Sequence, residues 1–237
     1  MTRESYMELF RDQVVLVAGS SGGLGIPVSK AFLEAGATVF GVSLDGQAAE
    51  GLGPRFVPVR ADLTIGEGAR AAVEEVLGRS QRINALVQVM GGFAGGSTVA
   101  ETDDSTWHLM LKLNLTSAFY MARAVLPHML AARQGRIVMI GSRTGVQPAA
   151  KLGAYAVSKA ALITLTQTIA AEVKGTGVTA NIVLPSVIDT PANRASDPSA
   201  DFSRWVKPES IADLLLWLAS TNAADVNGAV IPIYGNA

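Results

Sequence analysis

Short apolar runs of β-forming residues alternate with longer helical patterns along the whole chain. The first run, Val14–Ala18, is apolar at every position, so both of its faces are suited to burial. Strands that are apolar on both faces are typical of a parallel sheet that helices cover on either side. The alternation therefore predicts an α/β fold with one doubly wound parallel sheet and helices on both faces. Its strands are expected at residues 14–18, 38–43, 55–60, 85–90, 136–140, 179–184 and 229–234.

The segments between these strands have the apolar spacing of helices, which are predicted at residues 24–35, 67–77, 103–132 (with a break), 153–174 and 208–219. Gly36 and Gly78 are expected to end the first two helices, because glycine readily adopts the left-handed conformation that follows a helix. No linker or repeat divides the chain, so residues 1–237 are predicted to form a single domain. The polar segment 186–207 follows the sixth strand and is predicted to be a substrate loop at the sheet's carboxyl edge.

The composition argues against several classes of function. The chain has 237 residues, a net charge of −1 and no cysteine, so it offers no disulfide framework, thiolate metal site or basic nucleic-acid surface. His108 and His128 lack metal-ligand spacing, and we expect no metal site. Its apolar runs are too short for a signal sequence or a membrane span, so a cytoplasmic protein without a membrane partner is predicted.

A glycine-rich loop, 19–25, lies between the first predicted strand and the first predicted helix. Its glycines Gly19, Gly23 and Gly25 would allow a tight turn and a close approach of the backbone to a pyrophosphate. The positive end of the following helix would then stabilise the phosphate charge. A plain glycine-rich turn is the alternative, but the position after a buried strand favours a nucleotide site and a Rossmann-type sheet.

Tyr155 and Lys159 are four residues apart, which places them on the same face of a helix. A nearby ammonium group is expected to lower the pKa of a phenol, which could then exchange a proton with an alcohol or an alkoxide. Ser142 ends the fifth predicted strand at the same sheet edge as the glycine loop, where its hydroxyl could hold a substrate oxygen. A surface contact and a helix-capping serine are the alternatives for these residues, and their convergence at one edge favours a catalytic site.

These motifs resemble those of the short-chain dehydrogenase/reductase family over about residues 12–237. The resemblance implies a catalytic tetrad of Asn114, Ser142, Tyr155 and Lys159. Tyr155 would be the general acid/base, Lys159 would lower its pKa and hold the nicotinamide ribose, and Ser142 would polarise the substrate carbonyl. Asn114 would position a water molecule that links Lys159 to solvent.

The same resemblance implies contacts with NAD or NADP. The implied cofactor-binding residues are Gly19, Ser21, Gly23, Leu24, Gly25, Ser43, Asp62, Leu63, Gly91, Tyr155, Lys159, Ile188 and Thr190. Two segments depart from the family pattern: Gln88-Val89-Met90-Gly91 replaces Asn-Asn-Ala-Gly, and Pro185-Ser186 replaces Pro-Gly. Ser43 tolerates a 2′-phosphate whereas Asp45 repels one, so the sequence leaves the choice between NAD and NADP open.

The function that the resemblance implies is hydride transfer between the nicotinamide and a carbonyl or secondary alcohol. Phe93, Val146, Phe202 and Trp205 indicate an apolar or aromatic small-molecule substrate. A weaker local resemblance, in residues 91–96 and 189–205, is to the dihydropteridine reductase branch, which lacks the catalytic serine. A non-catalytic cofactor-binding sensor on the same fold is the other alternative.

The two longest predicted helices carry few charges. Arg123 is the only formally charged residue in 114–132, and 153–174 contains only Lys159, Glu172 and Lys174. Surface helices normally have a charged outer face. The low charge therefore predicts an oligomer built on these helices, and the family resemblance implies that they pair between subunits in a homodimer or, as we expect, a homotetramer.

Overall fold

A computed structural model describes residues 9–49 and 51–236. In this part of the chain, seven strands form one sheet in the order β3-β2-β1-β4-β5-β6-β7. Every neighbouring pair is parallel. The strands are β1 Val14–Ala18, β2 Thr38–Ser43, β3 Phe56–Arg60, β4 Ala85–Gln88, β5 Gly135–Ile140, β6 Val178–Pro185 and β7 Val230–Ile233.

The helices are α1 Gly25–Glu34, α2 Gly66–Ser80, α3 Asp104–Leu111, α4 Ser117–Ala132, α5 Gly153–Glu172, α6 Pro191–Ser196 and α7 Pro208–Ala219. Buried side chains of α2, α4 and α5 form one apolar core against the sheet, and those of α1 and α7 form a second core. The side chains of each strand alternate between the two cores, which is why the strands are apolar at almost every position. The predicted doubly wound parallel sheet with helices on both faces is confirmed.

The prediction that a glycine ends each of the first two helices is correct for α1 and wrong for α2. Gly36 has a φ of 101° and follows Ala35, the C-cap residue of α1, as predicted. Gly78 does not end α2, which continues to Ser80. Instead Gln81 adopts the left-handed conformation, with a φ of 60°, and its backbone N–H donates a hydrogen bond to the Leu77 carbonyl. A glycine inside a helix is tolerated wherever the backbone hydrogen bonds continue past it.

The break predicted in the helical segment 103–132 is a π-helical turn, Lys112–Thr116, between α3 and α4. At its end the Ser117 backbone N–H donates to the Lys112 carbonyl, five residues earlier. Such wide turns contain one residue more than an α-helix needs and occur frequently at functional sites. Asn114 lies in the middle of this turn and is fully buried.

The connections change direction at β1. The chain runs from β1 to β2 and β3 on one side of the sheet, and then returns to place β4 on the other side of β1. The loops that follow β1 and β4 meet at this switch point, where a Cβ built on Gly19 would lie 2.7 Å from the Met90 Cα. Ligands of open α/β sheets bind at such a crevice, beyond the carboxyl ends of the strands.

Within residues 9–49 and 51–236, no helix combines the length and apolar character that crossing a bilayer requires. The cytoplasmic location stays a prediction.

Candidate active site

The glycine loop after β1 has the geometry that a pyrophosphate requires. Gly19 has a φ of 88°, and a Cβ built on Gly25 would overlap the carbonyl oxygen of Gly19. Ser21 and Gly23 are exposed, and Leu24, the N-cap residue of α1, gives the helix no side-chain cap. Within the first turn the Ile26 N–H donates to the Gly22 carbonyl at 3.1 Å and Pro27 has no N–H, so a phosphate would meet the N–H groups of the glycine loop and the positive end of the helix. These residues fit a dinucleotide cofactor, and Leu24, which is buried, would contribute its backbone.

The segment after β6 lies directly over this loop. A Cβ built on Gly23 would lie 3.0 Å from the Thr190 Cβ, so a larger residue at position 23 would press on Thr190. The Thr190 hydroxyl accepts a hydrogen bond of 3.3 Å from the Asn193 N–H and caps α6. Ile188 is paired with Val206 in an isolated β-bridge, which closes the predicted substrate loop at its base. The structure therefore brings Gly23, Ile188 and Thr190 to one side of the crevice.

The predicted substrate loop is an ordered element. Arg194 forms a bidentate ion pair with Asp189, and its guanidinium lies 4.7 Å from the centre of the Phe202 ring. Phe202 in turn packs on Trp205, with ring centres 4.8 Å apart. The Arg204 side chain donates a hydrogen bond to the Asn236 carbonyl, and the Asn236 N–H donates one to the Arg204 carbonyl. These two bonds attach the loop to the segment that follows β7. Its contact with a substrate stays a prediction.

Ser142 and Tyr155 are brought together at the carboxyl end of β5. The Ser142 side chain lies beside the Tyr155 phenol, and its Oγ accepts a hydrogen bond of 3.2 Å from the Thr144 N–H. Burial raises the pKa of Tyr155, while the neighbouring Ser142 hydroxyl opposes this shift. A substrate oxygen placed between these two hydroxyls could be polarised by one and protonated by the other.

Lys159 is buried, with 5% of its surface exposed, and its Nζ donates a hydrogen bond of 2.9 Å to the Ile140 carbonyl. Burial lowers the pKa of Lys159 to about 8, because the charged form loses its hydration. The pKa of Tyr155 is nevertheless raised overall, and its lowering by Lys159 stays a prediction. The ammonium is directed to a backbone carbonyl, and desolvation of the phenol is the larger influence.

Asn114 connects three elements of the site. Its Oδ1 accepts a hydrogen bond of 2.9 Å from the Gly92 N–H, and its Nδ2 donates to the Gly92 carbonyl at 3.0 Å. The same Nδ2 donates to the Ser158 Oγ at 3.0 Å, and that hydroxyl donates to the Tyr155 carbonyl. A Cβ built on Gly91 would lie 2.7 Å from the Asn114 Oδ1 and 3.3 Å from the Lys159 Nζ, so Gly91 lies between them. The predicted tetrad therefore converges, and Asn114 holds the loop that follows β4.

Ser158 is a site residue that the sequence interpretation missed. It lies between Tyr155 and Lys159 on α5 and is fully buried. The only available signal was a hydroxyl residue one position before Lys159, which does not reveal a partner on another helix.

The residues predicted for the adenosine end follow β2 and β3. The Ser43 Oγ donates to Asp45 at 2.7 Å and accepts from the Gly46 N–H at 3.1 Å. Its hydroxyl is thus engaged within its own turn. Asp62 accepts two hydrogen bonds from Thr64, which lower the pKa of Asp62, and the Leu63 side chain is buried in the core. Leu63 can therefore contact a cofactor through its backbone.

The segment 88–91, which departs from the family pattern, keeps backbone hydrogen bonds to the end of β1. The Val89 and Met90 N–H groups both donate to the Ala18 carbonyl, at 3.0 and 2.8 Å, so this loop stays attached to β1. Gln88 is buried, and its Nε2 lies 3.4 Å from the Ser117 Oγ. The Gln88 Oε1 is buried without a hydrogen-bond partner.

The model of the family described as short chain dehydrogenase matches residues 13–201, which contain the glycine loop and all four residues of the predicted tetrad. This chain is a member of the short-chain dehydrogenase/reductase family. It is 32% identical over 250 residues to a short-chain dehydrogenase/reductase of Penicillium canescens, across 96% of this chain and 97% of the relative. A 3-oxoacyl-acyl-carrier-protein reductase of Thermotoga maritima is 29% identical over 94% of this chain and 96% of its own.

A solved short-chain dehydrogenase/reductase of Mycobacterium ulcerans superimposes with a TM-score of 0.88. It is 27% identical, and the match covers 96% of this chain and 90% of that one. The fold, the family and the enzyme class thus agree with the predictions. As a short-chain dehydrogenase/reductase, the chain is an oxidoreductase that uses NAD or NADP.

Proposed function

We propose that this short-chain dehydrogenase/reductase catalyses reversible hydride transfer between NAD(P) and a ketone or secondary alcohol. The observation that carries the proposal is the juxtaposition of the Ser142 and Tyr155 hydroxyls, next to buried Lys159, at the sheet edge that holds the glycine loop. A non-catalytic sensor needs the glycine loop but has no use for this pair of hydroxyls. The intact pair therefore supports the enzyme over the sensor.

The chain's residues divide the work as follows. The glycine loop and the positive end of α1 would hold the pyrophosphate, and Gly91 and Thr190 would contact the nicotinamide end. The bound cofactor supplies or accepts the hydride. Ser142 orients and polarises the substrate carbonyl, and Tyr155 gives its phenolic proton to the oxygen as reduction proceeds. Lys159 places a positive charge at the buried side of the site, and the Asn114 amide holds the loop 91–93 in register.

A panel of ketones, quinones, acyl thioesters and pteridines, each assayed with NADH and NADPH, tests this proposal. We expect turnover of at least one ketone, measured as the loss of the reduced cofactor's absorbance. Cofactor binding without turnover of any compound in the panel would favour the sensor. Turnover confined to quinonoid pteridines would favour the dihydropteridine reductase alternative.

The substrate class that we propose is uncharged and apolar or aromatic. Phe93, Val146 and Val187 follow β4, β5 and β6 at the carboxyl edge and are 68%, 47% and 40% exposed. Exposed apolar side chains gathered at one sheet edge are typical of a ligand-binding surface.

Replacement of Ser43 by aspartate is expected to shift the cofactor preference about tenfold towards NAD. A carboxylate at the end of β2 would accept hydrogen bonds from ribose hydroxyls and repel a 2′-phosphate, as the Asp45 carboxylate, which is hydrogen bonded to Ser43, would do from the neighbouring turn. The matched variant Asp45→Asn removes that charge and should shift the preference towards NADP. Dissociation constants for NADH and NADPH, measured by fluorescence titration, give both ratios. A ratio that neither variant changes would remove this turn from the ribose site.

The quaternary structure that we propose is a homotetramer in which α4 and α5 pair between subunits. Phe119 and Leu130 on α4 and Val157 on α5 are 40%, 39% and 45% exposed. Left in water, these side chains would contribute to a larger apolar surface than monomers usually have. Light scattering at micromolar concentration should therefore give the mass of four chains. Leu130→Asp should lower that mass and Leu44→Asp, which changes an exposed side chain after β2, should not. A wild-type monomer would contradict the proposal.

A further inference from the structure

Phe93 is a large apolar side chain placed in the open at the active site. It is 68% exposed, yet its ring packs against the ring of Tyr155. The two ring centres are 5.0 Å apart and the ring planes are inclined by 72°, which is a favourable edge-to-face arrangement. Most of the Phe93 surface therefore remains free beside the phenol that we assign as the proton donor.

The backbone on either side of Phe93 is fixed. Asn114 holds both the N–H and the carbonyl of Gly92, at 2.9 and 3.0 Å. On the other side, the Gly96 N–H donates to the Lys151 carbonyl at 2.9 Å. Gly95 packs so closely on Leu152 that a Cβ there would overlap the leucine side chain. The position of the Phe93 ring is thus set by contacts with α5 and the π-helical turn, before any substrate binds.

We propose that Phe93 is a specificity-determining residue that binds the ring of an uncharged aryl or alicyclic ketone. The proposal rests on the function proposed above. The Phe93 ring centre is 5.0 Å from that of Tyr155, so a cyclic group on the carbonyl carbon of a substrate held by Ser142 and Tyr155 can reach the Phe93 ring. A flat or cyclic group can cover the exposed ring of Phe93 with little loss of conformational freedom, whereas a flexible chain must be ordered first.

The test compares acetophenone with 2-octanone, which have the same number of carbon atoms, in the wild type and in Phe93→Leu. Leucine keeps an apolar side chain but removes the aromatic surface. We expect kcat/KM for acetophenone to fall about tenfold, and that for 2-octanone to change by less than about twofold. The fall in kcat/KM should result mainly from a higher KM, because Phe93 binds the substrate without taking part in proton transfer.

Phe119→Leu is the matched control, since Phe119 is also an exposed phenylalanine but lies on α4, where it contacts Tyr120 and Arg123. It should leave the ratio of the two ketones unchanged. Thermal unfolding of both variants establishes that they fold. Equal losses for both ketones in Phe93→Leu, or no loss for either, would overturn the proposal.

Binding separates this proposal from the proposed function. Saturation-transfer NMR of acetophenone with Tyr155→Phe, with and without the Phe93→Leu change, measures ring binding in the absence of turnover. If no ketone is reduced by the wild type but ring binding still depends on Phe93, the proposed function fails and the ring site stands. If ketones are reduced but neither the ratio nor ring binding depends on Phe93, the ring site fails alone. If ketones are not reduced and ring binding is independent of Phe93, both fail.

Discussion

Replacement of Tyr155 by phenylalanine should lower kcat by about three orders of magnitude, while the affinity for NAD(P)H remains within about twofold of the wild type. The change deletes one hydroxyl, and with it the proposed proton donor beside Ser142. The ring remains, and so does its edge-to-face contact with Phe93. Stopped-flow or steady-state loss of cofactor absorbance gives kcat, and fluorescence titration gives the dissociation constant.

Tyr120→Phe is the control for this experiment. Tyr120 lies on α4, where its ring contacts Arg123 and Phe119 instead of the predicted tetrad. We expect its kcat to match that of the wild type. A Tyr155→Phe enzyme that keeps more than about a tenth of wild-type kcat on a good substrate would show that another group supplies the proton.

Gly25→Ala should abolish measurable cofactor binding and lower the free energy of unfolding by about 3 kcal/mol. The added methyl group would overlap the Gly19 carbonyl and approach the Ser20 backbone to 2.8 Å. Backbone atoms cannot move away as a flexible side chain can, so the loop must open and its N–H groups lose their alignment. Chemical denaturation and fluorescence titration measure the two effects separately.

Gly22→Ala, in the same loop, is the matched control for stability. A Cβ on Gly22 would meet only the Gly19 carbonyl, at 3.5 Å, which is an ordinary contact. Its free energy of unfolding should lie within about 1 kcal/mol of the wild-type value. Equal stability of Gly25→Ala and the wild type would mean that the tight turn between Gly19 and Gly25 is not needed for the fold.

The sheet could be predicted closely from the sequence because its signal is local. A strand that is buried on both faces, such as Val14–Ala18, must be apolar at every position, and the structure begins and ends β1 at these residues. The placement of Ser142 at the same sheet edge as the glycine loop could also be predicted, because parallel strands bring their carboxyl ends to one edge. Gly78 shows the limit: a glycine permits a helix to end, but the hydrogen bonds of the following residues decide whether it does.

What the sequence could not reveal depends on contacts between distant residues. The raised pKa of Tyr155 results from its burial, and the Lys159 ammonium is directed to the Ile140 carbonyl, in another element. The contact between Phe93 and Tyr155 requires the loop after β4 to reach across to α5, and the Asn114 amide holds it there. Side-chain orientation and desolvation are properties of the assembled site, which residue spacing along the chain does not encode.

The π-helical turn Lys112–Thr116 determines the direction around the helix axis in which the side chains of α4 point. One additional residue in a helix rotates the subsequent side chains by about 100°. Deletion of a single residue here would restore a regular helix, but it would turn either the Asn114 amide away from Gly92 or the buried residues of α4, such as Met121 and Val125, away from the core. The additional residue therefore lets one continuous helical segment direct side chains in two ways that a regular helix could not combine. Asn114 is directed to the active-site edge, and the buried residues of α4 are directed to the core.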